Sequence, residues 1–201
     1  MIAMHEILKK YFCYEQLKKI ESTRIFIAGC GGLGSNVAHM LVRSGFKRLS
    51  LLDFDIVEKS NLNRQFFFPD QTGLKKAKAL ADNLLRINPE LELTLIYDRL
   101  ENPSDVPRLT DDCQILVEAF DRPESKAVFV SGALSTKKPV IAASGIAGYG
   151  RTDDIIVRNP LPNLYVVGDG KSDISTLPPL SPRVNVAAAK QADLVLEITL
   201  S

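Results

Sequence analysis

The stretch RIFIAGCGGLGSN, residues 24–36, constrains the fold more than any other part of the chain. An apolar run leads into Gly29, Gly31 and Gly34 in a G-x-G-x-x-G pattern, and a helical pattern, SNVAHMLVRSG, follows over 35–45. The first glycine permits a tight turn, the second lets the backbone approach a phosphate, and the third lets the helix lie close to a sheet. Backbone N–H groups at the start of such a helix offer an anion both hydrogen bonds and a favourable dipole. A second apolar run, RLSLLDF (48–54), brings Asp53 to its end, 19 residues beyond Gly34. A carboxylate at that distance is placed to accept the hydroxyls of a ribose. Cys30 lies inside the turn and is read as a small residue the turn tolerates, although a thiol at a helix N-terminus can be acidified.

The rest of the chain continues the alternation. Residues 1–22 read as a helical segment with Ile7, Leu8, Phe12, Leu17 and Ile20 on one face. Strands are predicted at 24–29, 48–54, 91–97, 113–120 and 139–145, and helices at 35–45, 73–89 and 123–135. Several of these strands are continuous apolar runs separated by helices, the pattern of a parallel sheet covered on both faces. Past residue 145 the pattern changes: DDIIVRNP and NLYVVGDG read as two further strands, an antiparallel extension. Residues 170–183 are rich in Gly, Ser and Pro and read as an exposed crossing loop, and 184–198 as a closing helix with small residues on one face. The expectation is an α/β, Rossmann-like, mostly parallel twisted sheet forming a single domain over 1–201. Within it, 1–22 is the N-terminal helical segment, 23–145 the nucleotide-binding core, and 146–201 the strand extension, crossing loop and final helix.

Composition narrows the class of function. Lys plus Arg is 25 and Asp plus Glu 24, a net charge of +1, which argues against a broad nucleic-acid surface. The three cysteines, Cys13, Cys30 and Cys113, are widely spaced with no CxxC, which fits a reduced cytoplasmic protein and predicts no structural zinc. No apolar run is long enough for a membrane span, and the N-terminus is not a signal peptide.

The segment FDIVEKSNLNRQFFF (54–68) then decides which use of a nucleotide is expected. Arg64, with Lys75, Lys76 and Lys78 beyond it, supplies cations suited to phosphate oxygens, and Asn61 and Gln65 add neutral donors. Asp121 stands at the carboxyl end of the fourth strand, where open parallel sheets carry ligands and where a carboxylate could hold Mg²⁺. A ribose acceptor, phosphate cations and a metal carboxylate suit ATP undergoing cleavage better than intact NAD. A hydride-transfer enzyme also needs a substrate region with a proton donor. Only His5 and His39 exist, one near the terminus and one in the helix after the glycine turn. Not all three lysines can face one point from a helix, so Lys75 and Lys78 are read as solvated. The three phenylalanines, Phe66 to Phe68, are read as core, with a wall beside the site or a subunit contact as the other reading.

GCGGLGSN, LLDFDIVEKSNLNRQ, G-L-K-K and INP closely resemble the ThiF/MoeB/HesA family, relatives of the activating enzymes of ubiquitin-like proteins. The resemblance runs from about residue 20 to the final helix, is most specific over 25–88, and is greatest to the compact ThiF-type proteins of thiamine biosynthesis. It implies adenylation of the C-terminal glycine of a small ubiquitin-like sulfur-carrier protein ending in Gly-Gly, with Mg-ATP as substrate and pyrophosphate as product. It places Gly29, Gly31, Gly32 and Gly34 in the nucleotide loop, Asp53 on the ribose, Asn61, Arg64, Gln65 and Lys76 over the phosphates, and Asp121 at the metal. A homodimer is the implied assembly. The alternatives are a molybdopterin-type carrier, an NAD-dependent oxidoreductase and a noncatalytic nucleotide-binding module; a dehydratase acting on modified tRNA ranks below them.

The chain also departs from the family pattern. It lacks two zinc-binding CxxC pairs, has no cysteine in 146–201 for a covalent carrier link, and has no arginine in 1–23 to reach a partner subunit's site. The usual TDN is FDRPESK here: Asp121 is kept, Arg122 replaces the asparagine, and Lys126 stands about where an arginine is common. Pro178, Pro179 and Pro182 are expected to stiffen the crossing loop, which in the family covers the carrier's extended tail.

Overall fold

A computed structural model describes residues 4–201. The chain begins with two short helices, α1 (Met4–Leu8) and α2 (Tyr14–Ser22). The single helical segment expected over 1–22 is therefore broken, and its first three residues lie outside the described ones. The break has a local cause: the N–H of Cys13 donates to Oε1 of Gln16 at 3.0 Å, which caps α2 and sets its start. Leu8, Leu17 and Ile20 face the core as expected, but Ile7 is exposed.

The sheet has seven strands: β1 (Arg24–Ala28), β2 (Arg48–Leu52), β3 (Glu92–Ile96), β4 (Ile115–Glu118), β5 (Val140–Ala143), β6 (Ile156–Leu161) and β7 (Leu164–Gly168). Their order across the sheet is β3-β2-β1-β4-β5-β7-β6, parallel throughout except for the antiparallel pair β6 and β7. The expected fold class, with its C-terminal antiparallel extension, is thus what the chain adopts. The helices between strands are α3 (Gly32–Arg43), α4 (Lys76–Ile87), α5 (Asp105–Leu109) and α6 (Pro123–Ser135), and α7 (Ser181–Leu200) closes the chain.

Successive strand residues point to opposite faces, and two cores result. Ile25 and Ile27 of β1, with Leu49 and Leu51 of β2, meet Val37 and Leu41 of α3, Leu80 and Leu84 of α4, and Ala187, Ala188 and Val195 of α7. Phe26 and Ala28 of β1, with Leu52 and Leu116, meet Val106 of α5 and Phe129 and Ala133 of α6 on the other face. The Phe26 and Phe129 rings stack with centroids 5.9 Å apart. The alanines of α7 give the small face read from the sequence and let it pack against α3. β6 lies exposed along its whole length at the sheet edge, and its Pro160 has no N–H to offer a further strand. Strand order reverses between β1 and β4, so the crevice at their carboxyl ends is where such a sheet receives a ligand.

Candidate active site

The glycine turn after β1 opens directly into that crevice. Gly29 has φ +100°, and a Cβ there would stand 2.8 Å from the carbonyl oxygen of Ala119, so only glycine lets the turn lie against the segment leaving β4. A Cβ on Gly34 would fall 1.8 Å from the Gly29 oxygen, which is why the first turn of α3 can close over the loop. The first intrahelical bond of α3 runs from Ser35 N–H to Gly31 O at 3.1 Å. The N–H groups of Gly32, Leu33 and Gly34 thus precede the helical ladder at its positive end.

Asp53 sits just past β2, 7% exposed. Its Oδ2 accepts from Cys30 N–H at 2.7 Å and its Oδ1 from Asp55 N–H at 2.8 Å. Burial pushes this carboxyl above its ordinary range, and the Cys30 N–H and the Lys76 ammonium oppose that rise. The Cys30 thiol is completely buried and driven well upward by burial, with Asp53 adding to the effect, so the unreactive reading of this cysteine agrees with its surroundings.

The segment 59–68 is stitched onto the start of α3. Ser35 Oγ donates to Gly31 O at 2.6 Å and accepts from Phe66 N–H at 3.0 Å. Asn36 Nδ2 donates to Gly32 O at 2.6 Å and to Arg64 O at 2.8 Å. Sequence reading passed over these two residues; their signal was the polar pair SN directly after the glycine turn. The stitching brings Gln65 Nε2 within 3.7 Å of where a Gly31 Cβ would stand, and Arg64 Cγ within 3.6 Å of the same point on Gly32. Gln65 is 9% exposed and its Oε1 is buried with no hydrogen-bond partner.

Arg64 Nη1 donates to Ser60 O at 3.0 Å and to Asn63 Oδ1 at 2.8 Å. Its guanidinium is lowered from the ordinary arginine value by burial, while the nearby Asp121 carboxylate pulls the other way. Asp121 itself is exposed. Lys76 is the first residue of α4, is 8% exposed, and places Nζ 3.0 Å from Asp55 Oδ2. Lys75 lies over the Tyr97 ring at 4.6 Å and Lys78 pairs with Asp82, so both lie outside the group, as expected of them.

Two further side chains also shape the backbone around the site. The Asn61 Oδ1 accepts from Glu58 N–H at 3.0 Å, and its backbone oxygen accepts from Arg64 and Gln65 N–H at 3.2 and 3.0 Å. Asn61 thus shapes the 3-10 turn Lys59–Asn61 that carries its neighbours. Lys126 donates to both oxygens of Glu118, at 2.9 and 2.7 Å, and to Phe120 O at 3.0 Å. Glu118 is fully buried at the end of β4, and burial raises its carboxyl while Lys126 and the Phe120 N–H hold it down. The pair shapes the loop that presents Asp121. The three phenylalanines divide: Phe67 is core at 6% exposed, Phe66 packs on the His39 ring at 4.6 Å, and Phe68 is exposed.

The crossing loop, residues 169–180, comes back over this end of the sheet. Gly148 N–H donates to Pro178 O at 2.9 Å, and Asn63 Nδ2 approaches Pro179 O at 3.4 Å.

Comparison with known proteins agrees with this architecture. A model of the ThiF family matches residues 5–178. Molybdopterin-synthase adenylyltransferase of Salmonella typhimurium is 30% identical over 142 residues, 70% of this chain and 57% of that protein. Ubiquitin-like modifier-activating enzyme 5 of Caenorhabditis elegans is 38% identical over 86 residues, 43% of this chain and 20% of that protein. The chain thus spans between a fifth and somewhat over half the length of these relatives. Among solved structures, the E. coli tRNA N6-threonylcarbamoyladenosine dehydratase TcdA superposes with a TM-score of 0.86 at 20% identity, covering 98% of this chain and 93% of that one. The complex of TcdA with ATP gives a TM-score of 0.80 at 22% identity, covering 98% and 91%.

Proposed function

The chain belongs to the ThiF family, and we propose that it uses ATP to adenylate the C-terminal glycine carboxylate of a small sulfur-carrier protein ending in Gly-Gly. One arrangement carries this reading: Asp53, Arg64, Gln65 and Lys76 all gather at the glycine turn where the strand order reverses. In this reading residues 1–201 act as one adenylation domain, working as a homodimer. A thiamine-type carrier is the first candidate and a molybdopterin-type carrier the second.

The residues divide the work by their chemistry. Asp53 has lone pairs beyond those taken by Cys30 and Asp55, and these accept the two ribose hydroxyls. The N–H groups at the start of α3 and the Nε2 donor of the buried Gln65 side chain, beside Gly31, line the phosphate path. The carrier carboxylate, ionised at neutral pH, attacks the α-phosphorus; its new P–O bond forms as the bond to the β-phosphoryl oxygen breaks, and pyrophosphate leaves. No general base is required. Arg64 and Lys76 offset the repulsion between the two anions and the charge that grows on the leaving group. Asp121, exposed after β4, would hold a Mg²⁺ ion beside the phosphates, and the ion would supply further neutralisation there. The crossing loop, fastened by Gly148 and Asn63, would lie over the carrier tail, and glycines suit a narrow passage.

The test is exchange of labelled pyrophosphate into ATP, with purified thiamine-type and molybdopterin-type carriers and the same carriers lacking their last glycine. Exchange that needs the intact Gly-Gly end is the expected result. ATP binding without exchange on either carrier would leave a noncatalytic module. Consumption of ATP on modified tRNA alone would move the substrate class, and binding of reduced nicotinamide cofactor in place of ATP would replace adenylation by redox chemistry.

A further inference from the structure

We propose that Asp55 is a positioning residue that aims Lys76 along the phosphate path and keeps it off Asp53, an assignment that rests on the nucleotide reading above. Two strand-like segments meet here. Ile56 pairs antiparallel with Lys75, Val57 N–H donates to Leu74 O at 2.8 Å, and Lys76 N–H donates to Asp55 O at 2.9 Å. Lys76 is therefore fixed at its backbone by the residue that also holds its ammonium, at 3.0 Å. Asp55 is in turn fastened through its own N–H to Oδ1 of Asp53. The carboxylate expected to bind ribose and the lysine expected to meet phosphate are thus the two ends of one brace, with Asp55 between them.

The asymmetry of the pair gives the brace a purpose. The Lys76 side chain is 10% exposed and that of Asp55 48%, so the lysine is the member that cannot turn to water. Asp53 is close enough to Lys76 for the ammonium to act on its carboxyl. Without the Asp55 carboxylate, Asp53 is an anion already within electrostatic reach of the nearly buried ammonium, and a bond between them would close the ribose acceptor and withdraw the cation together. Because Lys76 is nearly buried, Asp55 also compensates a charge that would otherwise stand unpaired, and the two contributions, to folding and to aiming, must be separated by experiment.

A double-mutant cycle distinguishes aiming from folding. Asp55→Ala, Asp55→Glu, Lys76→Ala and the Asp55→Ala/Lys76→Ala pair are compared in the full chain by calorimetric binding of ATP and of AMP and by carrier-dependent pyrophosphate exchange. The expected result is that Asp55→Ala lowers exchange about tenfold or more beside intact Lys76 and leaves it unchanged in the Lys76→Ala background. The preference for ATP over AMP should fall in the same non-additive way, and Asp55→Glu should regain most of both. Equal losses in the two backgrounds would overturn the proposal and make Asp55 a structural residue. A wild-type chain that binds ATP but never exchanges pyrophosphate would sink the adenylation reading alone, since the ATP-to-AMP cycle still judges Asp55. A wild-type chain that binds neither nucleotide would overturn both.

Discussion

Asp53 Oδ2 accepts the backbone N–H of Cys30 at 2.7 Å, so the carboxylate at the end of β2 also fastens the glycine turn after β1. The carboxylate proposed to receive the ribose and the glycine turn are thereby tied together, and removing the carboxylate frees the Cys30 N–H as well. Asp53→Ala should weaken ATP binding by roughly 1.5–3 kcal/mol, the scale of a hydrogen bond to a charged group. Calorimetric titration of the folded variant measures it, and unchanged affinity would remove Asp53 from the site.

Arg64 and Lys76 are expected to act more on the transition state than on bound ATP, because charge grows as pyrophosphate leaves. Arg64→Ala and Lys76→Ala should each slow pyrophosphate exchange about a hundredfold or more while ATP affinity falls far less. Lys75 is the residue before α4, held over Tyr97, and Lys75→Ala should stay near wild type. If Lys75→Ala proves as damaging as Lys76→Ala, the cation that meets the phosphates has been assigned one residue out of place.

These predictions show where the sequence was readable. The alternation of strands and helices, the glycine turn and the place of Asp53 at the end of β2 follow from apolar runs and glycine spacing, because those patterns report burial and backbone conformation directly; the order of the strands across the sheet does not. Choosing Lys76 over Lys75 needed the family resemblance, since two adjacent lysines carry no periodic signal. α5 was missed because five residues with Pro107 inside them show no helical period. The break between α1 and α2 has no glycine or proline to mark it and depends on the Gln16 side chain. Asp55 was hidden in plain view as the second acid of DFD, for its partner lies 21 residues on. Glu118 reads as one polar residue in an apolar strand, and only the fold brings Lys126 to it.

The cysteines should be dispensable. Cys30 is buried, and Cys113 is buried with its thiol pushed up to about 12, chiefly by burial, with Asp112 adding to the rise and Ser50 opposing it. Cys13 is exposed. In the native protein iodoacetamide should therefore label Cys13 alone, with the others reacting only in denaturant. A variant with Ser at all three positions should retain pyrophosphate exchange. Loss of exchange in a well-folded triple variant would reveal a thiol role that the burial of Cys30 argues against.

The crossing loop is tied to the body of the protein by a buried ion pair, and its strength should depend on pH. Arg183, at 4% exposed, bonds Asp169 through Nη2, and its Nη1 donates to Gly150 O at 2.8 Å and Arg151 O at 3.0 Å. Arg151 is held with φ 48°, a left-handed conformation that a non-glycine residue keeps only when its surroundings enforce it. Burial works to raise the Asp169 carboxyl, but the N–H groups of Ser172 and Lys171, with Arg183, outweigh it and hold the carboxyl below its ordinary value. A carboxyl depressed in the folded state lends stability above its unfolded value, near pH 4, and loses it as pH falls through the folded value. Asp169→Asn leaves Arg183 buried without its counter-charge, which should cost roughly 3–5 kcal/mol at neutral pH. Urea unfolding of wild type and variant from pH 7 downward should show that gap narrowing below about pH 4 as the wild type loses its own bond. A gap that stays constant down to the acid limit would mean that the ionised carboxylate is not what holds the loop.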